Sequence, residues 1–275
     1  MRELINEEIK RFIILSKYNT SKIIRYLLNM KVSIITVTYN SDKYLEKCIS
    51  SVLSQDFPNI EYIIIDGNST DNTKKIISKY HNNIDIFISE SDFGIYDAIN
   101  KGIRISTGEI IGLLHSDDFF HDNNVISRIV NSFDKDTDAV FADSFFIDIK
   151  NKKKRYYSSK NFKNWKFRFG LMPSHPTFYI KRQILKGVDL YNISLKIAAD
   201  FEFLLRLFTK YNIKYKYIND IWVIMLEGGA STKSIKSKLT ITKEIYIAAK
   251  INNYYTNLLF LNMRFFYKLY KYIKQ

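Results

Sequence analysis

The sequence predicts an α/β protein built on a mostly parallel sheet flanked by helices, and three observations carry that prediction. Short β-branched apolar runs alternate with stripes of helical spacing from Val32 to Leu114, which is the pattern of βαβ units. The first run is apolar almost throughout, as a strand covered on both faces must be. Polar clusters follow the runs at Tyr39-Asn40, Asp66 to Ser69, Ser91 to Gly94 and Ser116 to Asp118. Those are the ends at which an open sheet binds its ligands.

Residues 1–30 predict an amphipathic helical segment, with Leu4, Ile5, Ile9, Phe12, Ile13, Ile23 and Leu27 near helical spacing and a break at Asn19-Thr20-Ser21. Val32 to Thr38 is the first strand. Asn40-Ser41-Asp42 supplies turn and cap chemistry for a helix over 42–54, whose stripe is Leu45, Cys48, Ile49 and Val52. A second strand spans Glu61 to Ile65, a helix Asp71 to Tyr80, a third strand Ile84 to Ser89, a helix Ile95 to Ser106, and a fourth strand Glu109 to Leu114. Beyond residue 122 the pattern loosens. Ala139 to Ile149 reads as paired strands, Asn151 to Arg155 as a basic turn, and Ala199 to Tyr211 as a helix with Phe203, Leu204, Leu207 and Phe208 on one face.

Composition narrows the function classes. With 46% apolar and 25% charged residues, the 275-residue chain is globular. Its one cysteine excludes an internal disulfide framework and a multi-cysteine metal site, and the helical stripe around Cys48 reads as packing. A net charge of +14 calls for a polyanionic neighbour, whether nucleic acid, an anionic membrane or a phosphorylated substrate. No signal peptide is visible, and no window reaches about 18 uninterrupted apolar residues. The sequence therefore predicts a cytoplasmic protein, peripheral on the inner face of the membrane.

The chemistry concentrates at strand ends. Leu113 to Asp118 is an apolar strand ending in adjacent carboxylates, which repel unless a hard cation such as Mn²⁺ or Mg²⁺ shares them with phosphate oxygens. The same two residues also suit a turn or a helix cap. Tyr39 can stack on a base, and Asp66 can accept a hydrogen bond from a base N–H. Both also fit plain turn chemistry.

Together these runs resemble a known family. Val-Ser-Ile-Ile-Thr-Val-Thr-Tyr-Asn from Val32, Ser-Val-Leu-Ser-Gln from Ser51 and Ile-Ile-Ile-Asp-Gly-Asn-Ser-Thr-Asp-Asn-Thr from Ile63 are similar to family 2 glycosyltransferases. So are Ser89 to Gly102, Thr107-Gly108-Glu109 and Ser116-Asp117-Asp118. The likeness is greatest to the O-antigen, capsule and colanic-acid branch. It implies a GT-A fold with helical N- and C-terminal extensions, a catalytic domain over 31–232 (nucleotide-sugar half 31–121, acceptor half 122–232), and inversion at the anomeric carbon. Carried over by position, Thr38, Tyr39, Asp66, Asp97, Asn100, Lys101, Ser116 and Asp117 would bind a UDP-sugar donor, with Lys101 near phosphate or simply a solvated helix charge. Asp118, with Asp117, would bind the metal.

Ser174 to Tyr179 and Ala198 to Phe203 are similar to paired segments of the same branch. That likeness makes Asp200 the catalytic base, with Glu202 as the fallback, and His175 a contact to diphosphate or metal. His81, His115 and His121 match nothing. Glu227 to Ser231 resembles a mobile loop on the acceptor side. The Gln-x-x-Arg-Trp segment of processive synthases is missing, so one sugar per encounter is expected.

From Lys233 to Gln275 nine Lys/Arg accompany one acid, Glu244, and aromatic residues interleave the last stretch. Such a tail suits an anionic membrane and a lipid-linked glycan acceptor, or a helix packed on the domain. Two other readings compete: a non-catalytic protein binding membrane or nucleic acid, and a nucleotidyltransferase. The acids at Asp66, Asp92, Asp97, Asp117 and Asp118 disfavour a nucleic-acid groove, and no Gly-rich phosphate loop supports the second.

Overall fold

A computed structural model describes residues 30–148, 153–227 and 235–264. The N-terminal segment over 1–29, the loop glycines Gly228 and Gly229, and residues 265–275 lie outside the described residues. Strands β1 (Val32–Thr38), β2 (Ile60–Asp66), β3 (Ile86–Ser89), β4 (Ile110–Leu113), β5 (Phe119–Phe120), β6 (Ala139–Ile147), β7 (Lys153–Tyr157), β8 (Tyr179–Lys181) and β9 (Tyr215–Leu226) form one sheet. Its order is β3-β2-β1-β4-β8-β6-β9-β5, with β7 paired to β6.

The helices are α1 (Leu45–Leu53), α2 (Thr73–Ser78), α3 (Ile95–Ile105), α4 (Val125–Ser132), α5 (Arg182–Leu185), α6 (Ala199–Thr209) and α7 (Ile235–Ile251). Every residue of β1 is buried, as its place between β2 and β4 requires. Its alternation feeds two cores. Ile35 and Val37 face α3 and α6, joining Ala98, Ile99, Leu204 and Phe208. Val32 and Ile34 face α1 and α4, joining Cys48, Ile49, Ile126 and Ile129.

The sheet is parallel through β3-β2-β1-β4, and again between β6 and β9. Beyond β4 it is mixed, because β8 arrives from a 3₁₀ turn (His175–Thr177) without a helical crossover and runs antiparallel to both β4 and β6. Gly112 makes that insertion possible. A Cβ there would lie 2.0 Å from the Tyr179 ring, so only glycine lets β8 close on β4. The expected basic turn is partly strand, since Lys153 to Arg155 belong to β7.

Candidate functional site

Two groups of side chains meet above the carboxyl ends of the parallel strands. The first comes from the loops after β1, β2 and β3. Tyr39 follows β1 with its ring 64% exposed. A Cβ on Gly67 would lie 2.6 Å from Asp92 Oδ2 and 3.3 Å from the Tyr39 ring, so the bare backbone of Gly67 separates an exposed aromatic face from a carboxylate. Asp92, named in the sequence only as one of the clustered acids, thus stands beside Tyr39. Thr38 is buried, pairs in register with Asp66, and leaves its hydroxyl without a partner.

Asp66 is fully buried and shapes its own loop. Its carboxylate accepts the Ser69 N–H at 3.0 Å, the Ser89 hydroxyl at 2.7 Å, and the Ser69 hydroxyl. The three residues expected on the neighbouring helix α3, Asp97, Asn100 and Lys101, are likewise engaged within the protein. Asp97 Oδ2 accepts the Phe93 N–H at 3.2 Å. Lys101 pairs with Glu90 at 2.8 Å and Asp97 at 3.4 Å, and donates to the Ser91 carbonyl at 3.2 Å, tying together the loop that precedes α3. Asn100 is buried and trades both amide bonds with the Tyr191 backbone, at 2.8 and 2.9 Å. Its amide therefore holds the 189–198 segment and does not face the crevice as a free donor.

The second group surrounds the turn after β4. Ser116 donates to the Ser41 hydroxyl at 3.0 Å, linking this turn to the β1 loop. Asp118 closes the turn, its N–H bonding the His115 carbonyl at 2.9 Å. Burial, then the charge of Asp117, push the Asp118 carboxyl well above the usual carboxylate range, and the Leu226 N–H works against them. A buried acid with raised affinity for a proton beside a second acid is a site where a cation relieves the cost of ionisation. Among the described residues no group of three His, Cys, Asp or Glu converges into a ready cage. A cation at Asp117–Asp118 would thus draw further oxygens from substrate phosphates and water, the usual habit of Mg²⁺ and Mn²⁺ at such sites.

His115 and His175 come together because β4 and β8 run antiparallel, with Gly112 opposite Tyr179. Their rings lie 5.7 Å apart, tilted by 60°. Burial is the main cause that lowers each to about 4, so both imidazoles are neutral at pH 7. His115 Nδ1 is buried with no hydrogen-bond partner, and both Asp117 and Asp200 act on this ring electrostatically. Sequence reading passed over His115. The only available signal was its place one turn ahead of the acid pair.

Asp200 opens α6. Its Oδ2 lies 3.4 Å from His175 Nδ1, and Oδ1 accepts the Phe201 N–H at 2.7 Å. Burial pushes its carboxyl up to about 6, against the lowering effects of Phe201 and His115. That is the range a general base working near neutral pH requires. Glu202 has a different place. It is buried and paired with Arg206 at 2.8 Å, and accepts from Asn252 at 2.9 Å. With its carboxylate used in that network, Glu202 is no fallback base. Cys48 is buried in the core, and burial pushes its thiol up to about 12, so it is inert.

Comparisons with known proteins identify the family and the fold. The profile for Glycosyl transferase family 2 matches residues 33–194. A PGL/p-HBAD biosynthesis glycosyltransferase of Mycobacterium bovis is 24% identical over 211 residues, covering 75% of this chain and 80% of that protein. Staphylococcus aureus TarS has a TM-score of 0.61 at 23% identity, covering 79% of this chain, which spans only 39% of TarS. Its 1–349 portion in complex with UDP-GlcNAc has a TM-score of 0.62 at 22% identity, covering 80% of this chain and 66% of that one. The mannosyltransferase PcManGT from Pyrobaculum calidifontis, in complex with GDP-Man and Mn²⁺, has a TM-score of 0.62 at 18% identity, covering 83% and 66%. At such identities the structural likeness is one of fold, the GT-A fold. With the profile spanning most of the parallel half of the sheet, the chain belongs to glycosyl transferase family 2 and is a glycosyltransferase.

Proposed function

We propose that this glycosyltransferase moves one sugar, with inversion, from a nucleotide-diphosphate donor to a glycan or lipid-linked glycan acceptor of bacterial surface polysaccharide biosynthesis. The carrying observation is the convergence of an acid pair, Asp117 and Asp118, and a separate carboxylate tuned to about 6, Asp200, around two neutral histidines. A single displacement needs those two functions apart: a place for the leaving diphosphate and a base for the incoming hydroxyl. A UDP-sugar is the favoured donor. The exposed Tyr39 ring offers a stacking face, and the loop organised by Asp66 lies beside it. The complexes of TarS with UDP-GlcNAc and of PcManGT with GDP-Man and Mn²⁺ support the donor class and the metal.

Asp118 and Asp117 would hold Mn²⁺ or Mg²⁺ with the donor diphosphate, and the bound cation would offset the charge of the departing nucleoside diphosphate. Asp200 accepts the proton of the acceptor hydroxyl as its oxygen bonds the anomeric carbon and the bond to the diphosphate breaks. His175, against Asp200, fixes the orientation of that carboxylate. His115 backs the His175 ring, its own Nδ1 buried and unpartnered.

The test is a titration with nucleoside diphosphates and nucleotide sugars, with Mn²⁺ or with EDTA, of the wild type and of Asp118→Ala. Metal-dependent binding of one nucleotide, lost in the variant, is expected. A folded protein that binds none of them overturns the reading.

A peripheral membrane site belongs to the same proposal. Among the described residues no helix is long and apolar enough to cross a membrane. Tyr255, Leu258, Leu259 and Trp165 are exposed, with Lys166 over the Trp165 ring and Arg168 over Tyr255. Aromatic and aliphatic side chains beside cations suit an anionic lipid surface. Sedimentation with anionic vesicles, lost on changing Leu258 and Leu259 to Ser, is the expected result; equal binding by the variant rules this face out.

A further inference from the structure

Glu244 lies on α7, beyond the segment that matches the family profile, which ends at residue 194 before Asp200 is reached. It is buried, and its carboxylate accepts three consecutive backbone N–H groups, from Lys196 at 3.0 Å, Ile197 at 2.8 Å and Ala198 at 2.9 Å. Those residues lead directly into α6. Ala198, the residue flanking that helix, has no side-chain oxygen with which to fix the chain, and the carboxylate that does so comes from far along the sequence. The same stretch is held from the opposite side. The Tyr96 hydroxyl, on α3, donates to the Ile197 carbonyl at 2.7 Å. The peptide between Ile197 and Ala198 is therefore gripped on its carbonyl by the donor half and on its N–H by the C-terminal helix. Two residues later stands Asp200.

Further bonds extend this frame. Asn252, just past α7, donates to Glu202 at 2.9 Å. Glu202 pairs with Arg206, which donates to the Leu190 carbonyl at 2.8 Å. The adjacent Tyr191 is clamped by Asn100 and stacks on Phe203 at 4.2 Å and Tyr96 at 5.8 Å. The three bonds use both carboxylate oxygens, Oε1 for Lys196 and Oε2 for Ile197 and Ala198, which the single oxygen of an amide cannot reproduce. The charge acts on Asp200 too: after burial, Glu244 adds to the raising of that carboxyl.

We infer that Glu244 is a positioning residue for the base Asp200, so that the C-terminal helix is part of the catalytic unit and no mere appendage to it. This rests on the assignment of Asp200 above. Its weight lies in orientation, since displacing a reacting group by about 1 Å can cost about 100-fold in rate.

The experiment compares full-length wild type, Glu244→Gln, Tyr96→Phe and Asp200→Asn. The readouts are nucleoside diphosphate released from the sugar nucleotide that wild type hydrolyses, binding of UDP with Mn²⁺, and the melting temperature. Glu244→Gln is expected to lower kcat about tenfold or more, with donor KM and UDP affinity within about twofold of wild type. Tyr96→Phe, which loosens the other side of the same peptide, is expected to lower kcat in the same sense and covers the case in which Glu244→Gln fails to fold. Wild-type kcat in a folded Glu244→Gln protein overturns the inference. So does a loss of donor affinity that matches the loss of kcat, because Glu244 would then serve the fold as a whole. Unchanged rates in Asp200→Asn overturn the assignment of the base itself, whatever Glu244 does.

Discussion

The proposed donor half and the proposed acceptor half of this molecule position their carboxylates in opposite ways. Around Asp66 the bonds are short in sequence or cross between adjacent strand ends, as with Ser69 and Ser89. Asp117 and Asp118 sit on the turn that ends a strand. Asp200, in contrast, depends on long-range partners. His175 arrives on the antiparallel insertion, Tyr96 from α3 and Glu244 from α7. A site written in local bonds leaves a run of residues in the sequence, whereas a site assembled at a distance leaves single residues that look ordinary. The donor half should then lose function residue by residue, and the acceptor half should fail through its frame.

The largest effect is expected at Asp200. Asp200→Asn keeps the shape and removes the proposed proton acceptor, so kcat should fall by about 10²–10⁴-fold with UDP affinity retained. Steady-state kinetics beside nucleotide titration would separate the two. Wild-type pH dependence sharpens the assignment. The base must be ionised to act, and burial lifts its carboxyl to about 6. Activity should rise with pH through about 6 and level off above it. An acidic limb near the ordinary carboxylate value would show that the reacting base is a solvated group elsewhere.

Next comes Glu202, two residues along the same helix. Removing it leaves the buried Arg206 guanidinium without its carboxylate, and breaking a buried pair costs about 3–5 kcal/mol. Glu202→Ala should therefore lower stability in denaturant titrations by that order, and Glu202→Gln by less. If Glu202→Ala is stable but inactive, the two acids of α6 have been assigned the wrong way round.

This contrast explains what the sequence could reveal. The strands of the parallel half were legible because β1 and β2 are buried on both faces and hence mostly apolar, and acids follow them at the loop ends. The helix stripes were legible from period alone, with ends displaced by turns such as the one that delays α1 to Leu45. β8 was not legible. It is three residues long, and its pairing depends on the missing side chain of Gly112 opposite Tyr179, which no periodicity records. The approach of His115 to His175 follows from that insertion, so it was hidden with it. Asn100 and Glu202 looked like site residues because they sit in the right segments. Their side chains are spent on Tyr191 and Arg206, partners that only the folded chain brings near.

A smaller effect is expected at Tyr39. Stacking on a base contributes about 1–3 kcal/mol, so Tyr39→Ala should weaken UDP binding by roughly 5- to 150-fold while leaving the melting temperature near that of wild type, since the ring is exposed. Tyr39→Phe should keep most of the affinity. If both variants bind alike and poorly, the hydroxyl and not the ring face is the contact.

The smallest effect is expected at Lys101, and it tests how far a family position can be carried over. Its ammonium already has Glu90 and Asp97 as partners and the Ser91 carbonyl as acceptor. Leaving that set for a phosphate would strand two carboxylates beside an anionic donor. The bonding instead ties the loop before α3 to the helix, a role whose loss at a solvated surface costs about 0–1 kcal/mol. Lys101→Gln should accordingly change UDP affinity by no more than a few-fold. A loss of tenfold or more that grows at low salt would show that the amine swings to phosphate when the donor binds. The loop from Glu90 to Asp97 would then be a part that moves on binding, and the donor half, for all its local bonds, would share the acceptor half's dependence on rearrangement.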